Sequence, residues 1–329
     1  MRALGVLLFL TALVMLSACS RETARGPVLV ARPSAAQVTS GSAVAWSNGE
    51  LETNRIDILI VFDGKSTSWL RKKRDGDMEA FARRAVNAAN DGLARTGLDK
   101  FFSFRLAGVR SVKSDFSGYR PCDLAAMSCK RKTPPGRDGK VFARIRKMRK
   151  ACKADLVAVL SHRFAKGSGI GGSNALDASV CSEKGLELYR KFSYCACDVA
   201  EVEGNFTLLH EIGHLLGAGH TKLVWGKPDQ GTRLHDFSTA YVFQDGEKTY
   251  TTVMGYPSDG SDGSPPVVRL PFFSSPDYMT PSGIVVGTVT NDNTRTLRET
   301  FAIVANFQVS KKDPNWKEPE GRRKKKGRK

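Results

Sequence analysis

The sequence predicts an α/β domain, and two patterns carry that prediction. Short apolar, β-branched runs alternate with stretches whose apolar residues recur every three or four positions, in the order strand, helix, strand, helix, strand. Beyond residue 220 the alternation stops. Gly, Pro, Asp and Ser then recur throughout a loop-rich stretch, which one amphipathic helix closes.

Ile56–Phe62 (IDILIVF) is apolar and β-branched, as in a buried strand. Met78–Ala94 sets Met78, Phe81, Ala85, Val86, Ala89 and Leu93 on one helical face, and Gly97 follows as a stop signal. Phe101–Val109 reads as a second strand. Val141, Ile145, Met148 and Cys152 mark another amphipathic helix, with Arg and Lys between them. Asp155–Ser161 is a third strand, Gly169–Ala175 a Gly-rich edge strand, and Leu186–Asp198 contains the last. Asp292–Phe307 closes the domain as a helix, with Leu297, Phe301 and Val304 on one face. No internal repeat is present.

The composition, 41% hydrophobic and 26% charged over 329 residues, is globular and excludes a wholly disordered or collagen-like chain. A chain of this size buries a sizeable core without crosslinks. The formal net charge of +18 suggests an anionic partner. Much of it sits at one end: Lys311–Lys329 holds ten Lys/Arg and three acidic residues, net +7. This tail reads as disordered. It suits an anionic envelope surface or is simply a solvated extension. It has no interleaved aromatics for base stacking, so no specific nucleic-acid partner is expected.

At the other end, Met1-Arg2 precedes a 14-residue apolar run. The run is too short for a membrane-spanning helix of about 20 residues and has the form of a secretory signal. It ends Leu16-Ser17-Ala18-Cys19, which resembles the lipobox of bacterial lipoproteins. That resemblance implies cleavage before Cys19 and a lipid on its thiol; the alternative is an ordinary signal with an incidental cysteine. Ser20 resembles the sorting residue of lipoproteins sent to the outer membrane. The expected organisation is residues 1–18 as signal, 19–51 as a lipidated flexible tether, 52–310 as the folded domain and 311–329 as tail. The chain is then expected in the bacterial cell envelope, on a periplasmic or surface face.

Six further cysteines remain: Cys122, Cys129, Cys152, Cys181, Cys195 and Cys197. An even number in an exported chain suggests disulfides. Cys122 with Cys129 closes a short loop, and Cys181 with Cys195 or Cys197 closes another. A metal site at Cys195-x-Cys197 is a poor reading, because the usual spacing leaves two to four residues between ligands.

The segment that carries chemistry is His210-Glu211-Ile212-Gly213-His214-Leu215-Leu216-Gly217-Ala218-Gly219-His220. It holds three of the chain's five histidines. On a helix, His210 and His214 lie on one face and point two imidazoles at one ion. Glu211, about 100° further round the axis, reaches a water at that ion without displacing it. Gly217 takes the left-handed conformation that ends a helix, so the chain turns and brings His220 back. Three neutral imidazoles and one open position make a catalytic zinc arrangement, not a closed structural one.

This pattern resembles the metzincin clan of zinc peptidases, H-E-x-x-H-x-x-G-x-x-H followed by a Met-turn, here Thr251-Thr252-Val253-Met254-Gly255-Tyr256. The stretch from Arg269 to Phe307 resembles bacterial reprolysin-like (adamalysin-related) peptidases. The resemblance implies a twisted, mixed five-stranded sheet with an active-site helix, then a loop-rich lower subdomain from about residue 218. It also implies one Zn2+ on the three histidines, Glu211 as general base and acid, and Met254 as an apolar floor. Substrate protein or peptide would lie along the edge strand, and Pro257–Arg269 would wall the pocket beyond the scissile bond. Tyr256 has two readings: a residue contacting zinc or the transition state, as in the astacin and serralysin branches, or a loop tyrosine supporting the turn. The alternative function is a catalytically silent envelope lipoprotein that keeps the fold as a binding module. His162 and His235 read as surface or loop histidines. Asp259-Gly-Ser-Asp262-Gly reads as a flexible loop, because it lacks the spacing and terminal Glu of a calcium loop.

Overall fold

The structure, a computed structural model, describes residues 29–31, 54–117, 139–163, 171–173, 189–190, 193–224, 227–228, 233–260 and 265–308. The signal, Cys19, most of the tether, Cys122, Cys129, Cys181, Asp262 and the basic tail lie outside the described residues. The elements in chain order are β1 (Val30–Ala31), β2 (Arg55–Phe62), α1 (Gly64–Lys73), α2 (Met78–Ala94), β3 (Ser103–Ser111), α3 (Gly139–Cys152), β4 (Leu156–Ser161), β5 (Gly171–Ser173) and β6 (Tyr194–Asp198). They continue with α4 (Glu201–Gly204), α5 (Thr207–Leu215), β7 (Leu223–Val224), β8 (Lys227–Pro228), β9 (Val242–Asp245), β10 (Lys248–Thr251), β11 (Val267–Arg269), β12 (Tyr278–Met279) and α6 (Asn293–Ala305). No helix among the described residues is long and apolar enough to cross a membrane.

The central sheet has five strands in the order β3-β2-β4-β6-β5. The first four run parallel, and β5 pairs antiparallel with β6 at the edge. The uninterrupted apolar run of β2 follows from burial on both faces. Ile56, Ile58, Ile60 and Phe62 join a core with residues of α2, α5 and α6, while Leu59 and Val61 join a second core with Phe142 and Ile145 of α3. The mixed α/β class is as the sequence predicts.

Three features depart from the sequence reading. Helix α1 has no apolar stripe to announce it. It starts because the Asp63 carboxylate accepts the Ser66 N–H at 2.7 Å, and it docks through Leu70. The lower half is less loop-rich than expected. β9 and β10 form a hairpin across Gly246-Glu247, with Gly246 at φ +62°, and β11 adds to it in parallel.

The third departure corrects the tether. Val30–Ala31 pairs antiparallel with Tyr278–Met279, and Leu29 is buried in a third core with Phe243, Leu270, Phe272 and Val286. The physical reason is composition: Val28-Leu29-Val30-Ala31 is a short apolar, β-prone run. Part of the segment ahead of the sheet is therefore a strand of the lower half. Leu29→Ala is expected to cost about 2 kcal/mol, as for other large-to-small core changes, and to lower the melting temperature followed by circular dichroism. An unchanged melting temperature would show that β1 is not docked in solution.

Candidate metal centre

The chain leaves β6, makes the single turn of α4 and re-enters as α5 through Phe206, which holds a left-handed backbone at φ +53°. For a residue with a Cβ that conformation costs about 1–2 kcal/mol, so its surroundings must hold it. The Thr207 hydroxyl donates to the Glu201 carbonyl at 3.1 Å, and the Asn205 amide donates to the Glu201 carboxylate. Helix α5 then packs against β5 and β6 with both of its histidines buried.

The helix ends in a Schellman turn. Gly217, at φ +88°, donates its N–H to the His214 carbonyl at 2.9 Å, and Ala218 donates to the Gly213 carbonyl at 3.0 Å. The chain reverses there and returns His220. The Asn293 side chain braces this return from the start of α6, accepting from the Gly219 N–H at 3.3 Å and donating to the Gly219 carbonyl at 3.2 Å.

The three imidazoles converge through Nε2. The His214–His220 separation is 2.9 Å and the His220–His210 separation 3.3 Å. Each remaining ring nitrogen has its own partner. His210 Nδ1 donates to the Val253 carbonyl at 2.8 Å and His214 Nδ1 to the Ala218 carbonyl at 2.9 Å. His220 Nδ1 lies 3.2 Å from the Tyr256 hydroxyl. Carbonyl acceptors fix the first two rings as Nδ1–H tautomers, which leaves the Nε2 lone pairs directed at one point. Tetrahedral zinc with Zn–N bonds of about 2.0–2.1 Å sets its ligand nitrogens about 3.4 Å apart, so the constellation fits such an ion. Burial, the Arg269 cation and the two neighbouring rings hold His210 well below the ordinary histidine pKa, so it is neutral and able to ligate.

The turn Thr251–Tyr256 meets α5 at two points. Its Val253 carbonyl orients His210, and its Met254 side chain fills the space beside Gly213. A Cβ on Gly213 would stand 2.5 Å from Met254 Sδ and 2.9 Å from the Phe273 ring. Gly213, inside the motif, thus leaves room for the turn to pack directly on the helix. Glu211 is buried on the same helix, close enough to Arg269 to raise that guanidinium's pKa against burial.

Tyr256 stands behind His220, on Nδ1, the ring nitrogen that does not face the other two histidines. Of its two readings, this contact is the supporting one, a hydrogen bond to a histidine of the cluster. Arg269, which no spacing in the sequence marks, is 5% exposed. Its Nε donates to the Gly255 carbonyl at 2.9 Å and its Nη1 to the Asn205 carbonyl at 3.0 Å.

The remaining candidates lie elsewhere. His162 pairs with Asp198 at 3.4 Å, and His235 pairs with Glu299 at 3.2 Å and stacks on Phe237. Asp259 belongs to no group of metal-capable side chains among the described residues. The expected disulfides onto β6 are corrected: Cys195 and Cys197 are free, both turned into the core facing α5, and Cys152 is free as well. A loop cysteine could reach them only by displacing packed core atoms. Burial pushes the Cys197 thiol well up, with Cys195 and Glu211 adding to the effect, so it stays protonated.

Over residues 52–262 the chain matches the model of metallo-peptidase family M12. A solved structure described as a chaperone–substrate complex aligns with TM-score 0.51 at 17% identity, covering 78% of this chain and 35% of that one. Metalloproteinase-II from Bacteroides fragilis aligns with TM-score 0.34 at 16% identity, covering 56% of this chain and 48% of that one. The chain therefore spans about a third of the first and about half of the second. No curated protein matches it significantly.

Gly213→Ala is expected to destabilise the fold by about 1–3 kcal/mol through overpacking against Met254 and Phe273. Denaturant unfolding of the metal-free protein checks this. A wild-type midpoint would show that helix and turn are not in contact.

Proposed function

Because the chain belongs to metallo-peptidase family M12, we propose that it is a zinc-dependent endopeptidase acting on proteins or peptides. One observation carries the proposal: three buried imidazoles converge on one point with every Nδ1 already engaged, next to a buried glutamate in the same helix turn. His210, His214 and His220 would hold the ion. Imidazole donors with no thiolate among them suit zinc. When bound, zinc supplies Lewis acidity, polarising the scissile carbonyl and making water acidic enough to attack at neutral pH.

The protein's own residues do the rest. Glu211 takes a proton from the attacking water and passes it to the leaving amine, so one carboxylate acts as base and then acid. Its burial keeps bulk water from competing for that proton. Substrate lies extended along β5. The support is topological: β5 is the outer strand of the sheet, antiparallel to its neighbour, and α5 packs beside it. The segment Pro257–Arg269, directly after the Met-turn, walls the pocket beyond the scissile bond. Nothing favours the catalytically silent alternative, since the histidines and Glu211 are all retained.

We further propose an envelope lipoprotein, anchored by a lipid on Cys19 and held to the outer membrane, with Lys311–Lys329 meeting an anionic surface. The support for each is the sequence alone.

The test uses the chain without its signal and lipid. Zinc content is measured, and a peptide library is presented to wild type and Glu211→Ala. One zinc per chain is expected, with cleavage abolished by chelation and lowered about 10²–10⁴-fold in the variant, the range for losing general acid–base catalysis. No bound zinc, or equal cleavage by both proteins, would overturn the reading.

A further inference from the structure

We propose that Arg269 is a positioning residue for the metal centre, a buried guanidinium that ties the Met-turn to the start of the metal-binding helix. The inference rests on the zinc-peptidase reading.

Its two hydrogen bonds end on segments 50 residues apart in the chain. One reaches Gly255, the residue after Met254, and the other reaches Asn205, two residues ahead of α5. Each segment bears directly on His210. On the Met-turn side, the Val253 carbonyl that accepts from His210 Nδ1 lies two residues before Gly255. On the helix side, Phe206 follows Asn205 and its carbonyl accepts the His210 N–H at 3.0 Å, so the first turn of α5 begins on this strained residue. If the left-handed bend relaxed, that turn would shift and His210 with it. Arg269 opposes the relaxation from one side and Glu201 from the other, through Asn205 and Thr207.

The residue type matters. A planar guanidinium offers donors in a fixed fork and spans two diverging carbonyls, whereas a lysine ammonium is a point charge on a flexible stem. The cation is expensive to bury. Burial draws the Arg269 pKa down to about 10, and Glu211, then Tyr256 and Glu201, act against it. Arg269 is itself held in place: it sits at the end of β11 opposite Thr251 of β10, and the following residue, Leu270, donates to the Thr251 carbonyl at 2.8 Å. The β10–β11 pairing thus fixes the backbone from which the guanidinium reaches both carbonyls.

The test compares wild type, Arg269→Lys and Arg269→Met, with the metal-free melting temperature recorded first and all later work done on folded protein well below it. Zinc affinity is read by competition with a chromophoric chelator. Exchange of the His210 Nδ1 proton is read by NMR on the metal-free protein. Arg269→Met is expected to bind zinc about 10–100-fold more weakly, the usual cost of losing an outer partner of a metal site. Its His210 proton is expected to exchange at least tenfold faster, with Arg269→Lys between it and wild type. A lower melting temperature with wild-type zinc affinity and wild-type proton exchange would overturn the proposal and leave Arg269 a packing residue. If wild type keeps the protected proton and the variant loses it while neither cleaves peptide, the peptidase reading fails and the positioning role stands.

Discussion

The metal centre depends on one constraint: each of the three histidines is fixed through Nδ1, the nitrogen turned away from the point where the three rings meet. Helical spacing alone puts His210 and His214 on one side of α5, but an imidazole on a free χ2 could present either nitrogen. The Val253 and Ala218 carbonyls remove that freedom by accepting at Nδ1. Ala218 is also the residue whose N–H completes the Schellman turn after Gly217. The turn that redirects the chain toward His220 therefore also orients His214. The Met-turn likewise both packs against Gly213 and holds His210.

This explains why the upper and lower halves of the domain must be built together. Of the three ring partners, only Ala218 is local to its histidine; Val253 and Tyr256 come from 43 and 36 residues away in sequence. The lower half is accordingly better ordered than its Gly- and Pro-rich sequence suggests. It has a three-stranded sheet, its own small core and a strand from ahead of the main sheet. Asn293 braces Gly219 across 74 residues, so the closing helix is also tied to the third histidine.

What the sequence reveals and conceals follows from the range of each interaction. The α2 helix is legible to the residue because its apolar stripe and its end signals are local. The metal triad is legible because all three histidines and Gly217 lie within eleven residues. Helix α1 is not, since GKSTSWLRKK has no stripe and relies on a cap and one buried leucine. The hairpin signal Asp245-Gly246 is present, but its flanking strands are short and polar, so the stretch resembles loop. Arg269, Asn293 and the place of Tyr256 are illegible for a different reason. Their roles exist only in contacts between distant segments, which one sequence does not record. On β6 the even cysteine count misleads, because the described thiols there serve as small core side chains.

Convergence of the three imidazoles on one ion is tested most directly by zinc-edge X-ray absorption of the metal-loaded protein, which counts ligands and identifies their elements. Three imidazole nitrogens and one further oxygen or nitrogen are expected at about 2.0–2.1 Å, and no sulfur at about 2.3 Å. A sulfur ligand, or fewer than three imidazoles, would contradict this arrangement.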